Sequence, residues 1–316
     1  MIDRLFRATR RSLAGLALVI PLLSGCENGA RIELFPTKKP VEPPPAPTGP
    51  ATAREALAAI NANLAAIRGA LYGSPATVSF SFRDERGRDR RFIGHPAMLI
   101  FENPRCFVLE IRSSIGGTVA RIGSNDLRYW LWVDIPDERR MWWGTWAALR
   151  AGQARKLAAP PDQLLDSLMM RPLPEKPRDG LKPILERGDG ETRLVFQGLD
   201  GEGYPFNRRV FTLDPKPPHL PIAIVERDPA GNVLLSAELR DYEPVGDEDG
   251  APLVPRRYVL NWPQDGSELR LDLGRLRYRT KTETFCDFPE WDGEVEPLDL
   301  QPDDSQEYFG RADRTE

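Results

Sequence analysis

Hydrophobic and polar positions alternate with a period of two over much of this chain. Thr77-Val78-Ser79-Phe80-Ser81-Phe82 sets Val78, Phe80 and Phe82 on one side of an extended strand and hydroxyl side chains on the other. Residues 106–112, 118–123 and 127–133 repeat the pattern. The turns Ser113-Ser114-Ile115-Gly116-Gly117 and Ser124-Asn125-Asp126 separate them, which predicts an antiparallel meander. Further alternating runs predict strands at 91–94, 97–102, 184–187, 193–197, 208–213, 222–227, 233–242, 256–262 and 269–278. Residues 228–232 and Asp265-Gly266 supply hairpin turns. Two stretches follow a helical period instead. Leu57, Ile60, Leu64, Ile67 and Leu71 recur every three or four positions across 52–71, and Thr52 with Glu55 fits a capping box. A short helix is predicted over 160–170 from Leu164, Leu165, Leu168 and Met169, between Pro160-Pro161 and Pro172. The single apolar stripe of the first helix implies docking on a sheet.

The 127–133 run is apolar on both faces and needs cover on both sides. Five of the seven tryptophans fall between Trp130 and Trp146. Two readings follow: a solidly packed sheet core, or a curved sheet whose inner face lines an apolar cavity. The second makes Phe80, Phe82, Phe101, Leu109, Ile111, Trp130 and Trp132 candidate lining. Arg83 to Arg91 is a dense charge run, but Asp84, Glu85 and Asp89 interleave, as in a solvated hairpin tip.

The N-terminus carries an export signal. Arg4, Arg7, Arg10 and Arg11 precede an apolar run from Leu13 to Leu23, and Ser24-Gly25 are small residues of the kind found before a cleavage site. Leu23-Ser24-Gly25-Cys26 resembles a bacterial lipobox. That resemblance implies removal of 1–25, acylation of Cys26 and a lipid anchor in the cell envelope. Glu27 is not the aspartate that favours inner-membrane retention in enteric bacteria, which leaves the choice of membrane open, with the outer membrane favoured. Residues 26–52, with seven prolines among Thr, Lys and Glu, read as an extended tether.

Charge narrows the partners. The full chain carries −4, and the first 25 residues hold four arginines and one aspartate, so the remainder carries −7. Nucleic acid is therefore disfavoured. From Asp287 onward eleven acidic residues face two basic ones without periodicity, and 286–316 is expected to be an acidic, disordered tail. No catalytic constellation emerges: His95 and His219 lack metal-ligand spacing, and neither a nucleophile elbow nor a phosphate-cradling loop occurs. No enzyme activity, cofactor or metal is expected. With Cys26 acylated, Cys106 and Cys286 remain. In an oxidising compartment they are either a disulfide or two buried free thiols.

An Ala-rich helix, a run of antiparallel strands, a Gly-containing loop, a second helix and closing strands resemble the LolA/LolB-type lipoprotein carriers and receptors. The likeness covers roughly 53–285, taken as one domain. It implies a mainly β fold: an unclosed antiparallel barrel, a curved sheet of about 10–12 strands with helices covering its concave face. Residues 109–118 are similar to the receptor loop in which an apolar residue before Gly protrudes to touch lipid. Ile115 occupies that position, where it either protrudes or folds back. The arginine through which the carriers contact a helix is not identifiable in this chain, and a lipid-anchored protein cannot shuttle. The resemblance therefore implies a receptor-like binder of acyl chains or lipoproteins. The alternative is an envelope scaffold with a filled core and a protein partner.

Overall fold

The computed structural model describes residues 49–83, 87–102, 104–135, 138–151, 153–154, 161–175, 180–188, 190–279 and 285–299. Cys26, the export signal and most of the proline-rich tether lie outside them.

Helix α1 (Ala53–Ala65) starts where Thr52 Oγ1 accepts the Glu55 N–H at 3.2 Å, while the Glu55 carboxylate accepts the Ala51 N–H at 2.8 Å. The predicted helix ran to Leu71. It ends six residues earlier, with Ala66 as its C-cap; Gly69 beyond it takes a positive φ of 80°, and Leu71 already belongs to strand β1 (Ala70–Arg83). The chain continues through β2 (Asp89–Glu102), β3 (Cys106–Arg112), β4 (Thr118–Ser124), β5 (Arg128–Ile135) and β6 (Glu138–Thr145). Two short helices follow, α2 (Trp146–Ala151) and α3 (Pro161–Ser167). Next come β7 (Ile184–Gly188), β8 (Glu191–Leu199), β9 (Pro205–Leu213), β10 (Pro221–Arg227) and β11 (Val233–Pro244). The last strands are β12 (Leu253–Trp262), β13 (Ser267–Leu273), β14 (Leu276–Arg279) and β15 (Glu294–Pro297).

These fifteen strands of the described residues form one open sheet, more than the ten to twelve expected. Its order is β15-β6-β5-β4-β3-β2-β1-β13-β12-β11-β10-β9-β8-β7, with β14 also on β1. Two antiparallel meanders thus meet along β1 and β13, and only the short β15 pairs in parallel, with β6. The predicted strand 269–278 is interrupted at Gly274-Arg275, opposite Ser74-Pro75, and both parts pair with β1 in one register. A Cβ on Gly274 would fall 1.9 Å from the Pro75 carbonyl oxygen.

Cross-strand register separates two faces. One row runs Leu185, Leu194, Phe211, Ile224, Ala237, Leu260, Leu269, Phe80, Phe92 across nine adjacent strands. A second runs Leu99, Leu109, Ile122, Leu131, Trp142. Both lie on the inner face, where α1 and α3 dock through Leu57, Ile60, Leu64, Leu164, Leu165 and Leu168, all buried in the main core. Apolar burial of this kind is worth roughly 25 cal/mol per Å².

The outer face carries a separate aromatic cluster. Ile100, Val108, Gly123, Trp130 and Trp143 form its row. Phe288 packs edge-on against Trp130 at 5.6 Å, and Trp291 stacks on Trp132 at 5.1 Å. Residues 286–299, expected as part of a disordered acidic tail, are therefore a strap. Cys286 is bonded to Cys106, and Arg139 and Arg140 pair with Asp292 and Glu294 at 2.8 and 3.0 Å. Acidic residues that argued for disorder meet basic partners on β6. The rest of that segment, 300–316, lies outside the described residues. At the other boundary Pro50, read as tether, is buried, and its carbonyl accepts from Arg187.

Candidate functional site

The seven candidate lining residues do not share a face. Phe80, Phe101, Leu109 and Ile111 belong to the inner face, Phe101 and Leu109 fully buried and Phe80 and Ile111 half-buried. Phe82 continues that face, its ring 5.3 Å from Phe80 and 6.2 Å from Phe92. Trp130 and Trp132 point the opposite way, beneath the strap, and cannot line an inner hollow. Their place in the lining set is corrected by the pairing of Trp130 with Gly123 and of Leu131 with Ile122.

Much of the expected hollow is filled. Under α1 and α3, side chains of both helices together with Met169, Met170 and Leu173 close the space against β8 to β13. Asn61 clamps α1 to Leu173 and Asn63 clamps it to Leu253, each side-chain amide bonding both N–H and C=O of its partner at 2.8–2.9 Å. Tyr258 donates to the Leu168 carbonyl at 3.2 Å, and Trp262 Nε1 donates to Gln163 Oε1 at 3.3 Å. These contacts gather both helices over the β7–β13 half.

The other half of the inner face carries less cover. Ile111, Ile122, Leu131, Val133 and Trp142 on β3 to β6 remain half-buried, as do Phe80, Phe82 and Phe92. This apolar strip leads toward the end of the sheet where the β1–β2 and β3–β4 connections lie. Ile115, at the second of these, is 97% exposed and does not fold back. A groove of about 730 Å³ opens at the same end. Six of its lining residues, Ser79, Ser81, Arg91, Asn261, Glu268 and Arg270, belong by register to the outer face, and Phe80, Phe92 and Trp262 are inner-face residues. Its volume suits one small-molecule-sized ligand.

One charged cluster escaped the sequence reading. Arg209 on β9 donates through Nη1 to Asp166 on α3 and through Nη2 to Glu226 on β10, both at 2.8 Å, and Arg171 also pairs with Asp166. Burial alone would favour loss of the Arg209 proton, but the two carboxylates outweigh it and keep the guanidinium charged. Burial pushes the nearby Asp162 carboxyl above the usual aspartate range. A backbone hydrogen bond at Gln163 opposes this, and the charges of Asp166 and Glu226 add to it. Arg209 and Glu226 stand at inward positions of their strands, in phase with Phe211 and Ile224. Two charges at apolar positions of neighbouring strands were the available signal.

Neither histidine is placed for chemistry. His95 Nδ1 lies 3.2 Å from the Arg112 carbonyl and His219 Nδ1 lies 3.0 Å from that of Asp214. Among the described residues no group of three or more His, Cys, Asp or Glu side chains could hold a metal ion, and no helix is long and apolar enough to cross a membrane.

No family model and no curated protein matches the sequence. Solved structures similar to the chain include a LolA superfamily protein from Nitrosomonas europaea. It is 12% identical, with 74% of this chain and 96% of that chain covered at a TM-score of 0.43. Another is a domain from Vibrio parahaemolyticus assigned to outer membrane lipoprotein sorting, at 14% identity, 73% and 95% coverage and a TM-score of 0.44. A third is a DUF1329 family protein from Desulfovibrio piger, at 12% identity, 72% and 94% coverage and a TM-score of 0.43.

Proposed function

We propose that the chain is an exported envelope protein, anchored through acylated Cys26, that binds the acyl chain of a lipid or a lipoprotein in a receptor-like role. The observation that carries this reading is the uneven cover of the inner face. Helices seal the β7–β13 half, while an apolar strip from Phe80, Phe82 and Phe92 to Ile111, Leu131 and Trp142 stays half-open. A strip of this kind binds a flexible apolar chain by removing it from water, with no covalent step. The protruding Ile115 would touch the lipid first. Native mass spectrometry of the protein extracted from membranes tests the reading, with co-purified lipid expected. Protein that is empty and also fails to take up a fluorescent fatty acid overturns it.

The scaffold reading draws on a different observation, the packed space beneath α1 and α3. In that case the strip is covered by a protein partner, and cross-linking in the envelope would capture that partner while lipid uptake stays absent.

A further inference from the structure

Strand β13 stops short of its neighbour β1. The two pair only as far as Ser81, opposite Glu268, while β1 continues to Arg83 beside β2. Between Trp262, which ends β12, and Ser267, which starts β13, the chain turns, and Pro263 and Gly266 of that turn line the groove of about 730 Å³. The groove thus runs over a hairpin end, which is why both faces of the sheet contribute to it, and all of its lining lies within the described residues. Its outer side is polar and short of partners. Asn261, Glu268, Ser81 and Arg91 stand directly across from one another on four adjacent strands. Arg91 is exposed and has no carboxylate partner among the described residues, and the Asn261 amide makes no hydrogen bond among them. Arg270 pairs with Glu268 at 2.7 Å, so two guanidiniums face one carboxylate in the lining, a net charge of +1. Other acids nearby are engaged or stand aside: Asp89 pairs with Arg83 at 3.4 Å, Glu238 pairs with Arg240, and Asp265 of the turn does not line the groove. Ser79 Oγ accepts the Gly94 N–H at 3.0 Å and keeps its own hydrogen to donate. The inner side is aromatic, with Phe80 and Phe92 half-buried and Trp262 buried. Among these rings Ser267 is 3% exposed, and its hydroxyl has no hydrogen-bond partner. A buried polar group left in this way is costly, and an acceptor on a ligand would satisfy it.

We infer that this groove binds a small apolar molecule carrying a carboxylate. Arg91, Asn261 and the serine hydroxyls of the outer side hold the anionic end, the body lies against Phe80 and Phe92, and Ser267 donates to a second oxygen on that body. The donors present match an acceptor-only anion: a guanidinium, an amide N–H and two hydroxyls. A cationic head would face the surplus positive charge, and an uncharged one would leave Arg91 unanswered. A few placed polar groups beside an apolar wall are the usual make-up of a small-molecule site of this size. The site goes beyond the acyl-chain reading and does not depend on it, although Phe80 and Phe92 border both the groove and the half-open strip.

The test uses the chain from residue 27, which lacks Cys26 and its acyl groups. Every contact described above lies within 49–299, so this chain keeps them all. Calorimetric titration compares naphthoate with its uncharged counterpart naphthol and with hydroxynaphthoate. Naphthoate should bind about tenfold more tightly than naphthol, and Arg91→Gln should erase that difference. Hydroxynaphthoate should bind more tightly than naphthoate to the parent, and no more tightly than naphthoate to Ser267→Ala. Arg91 is exposed and the Ser267 hydroxyl is unpartnered, so thermal unfolding of neither variant should fall below that of the parent. No binding of naphthoate by the parent, or equal binding by Arg91→Gln and the parent, overturns the inference. An advantage of hydroxynaphthoate that survives in Ser267→Ala overturns the placement of the body against that hydroxyl.

Discussion

Trp130 lies directly across from Gly123, and its indole occupies the space where a Cβ on Gly123 would stand, with Cε2 2.4 Å from that point. The tryptophan is itself held between Phe288 and the sheet, so it cannot swing away. Gly123→Ala should destabilise the protein by about 1–3 kcal/mol, as overpacking does elsewhere, measured by urea unfolding. An unchanged midpoint would mean that the indole is free to move.

Strip and core separate by mutation. Phe82→Ser removes a half-exposed ring and should lower fatty-acid affinity about tenfold while costing under about 1 kcal/mol of stability. Trp130→Ala, on the outer face, should cost about 3–5 kcal/mol and leave the affinity of the remaining folded protein unchanged. Paired titration and unfolding curves check both.

Asp162 sets a pH dependence. Its folded pKa is raised, so below the ordinary aspartate pKa it is protonated in both states and has no effect. As pH climbs through that value the unfolded chain ionises first, and stability falls until the folded pKa is passed. Asp162→Asn should therefore be more stable than the parent at neutral pH, with the gap closing under acid conditions. Unfolding at pH 7 and pH 3 reads this directly.

Arg209 neutralises two carboxylates, of which Glu226 is nearly buried. Arg209→Met strands Glu226 and leaves Asp166 with Arg171 alone, and should cost about 3–5 kcal/mol. Adding Glu226→Gln and Asp166→Asn should return much of that loss, and thermal melts of the single and triple variants test it.

The Cys106–Cys286 bond closes a loop of 180 residues. By chain entropy, Cys286→Ser should lose up to about 5 kcal/mol. Hydrogen exchange should rise across 285–299 and on β6, the strand this segment covers. Unaltered protection there would show that Phe288, Trp291 and the ion pairs hold the strap without the covalent bond.

The sequence alone disclosed most of the strands and both longer helical stretches, because alternation and three-four spacing are local. It did not disclose the phase between strands. Period two tells that Trp130 and Trp132 share a side, but only the pairing of Gly123 with Trp130 tells that this side is not that of Leu109. Strand β6 is missing from the predicted strands because Met141, Trp142 and Trp143 are consecutive and apolar on both faces, which erases alternation. The strap was hidden by its own composition: its acids are matched to Arg139 and Arg140, more than 150 positions earlier.

Strand β1 is the first to be made yet lies near the middle of the finished sheet, its Ser81 beside Glu268 of β13. During synthesis the N-terminal meander must therefore wait, one flank bare, while most of the remaining chain is produced. Long-range closure of this sort is slow and leaves strand edges open to wrong partners.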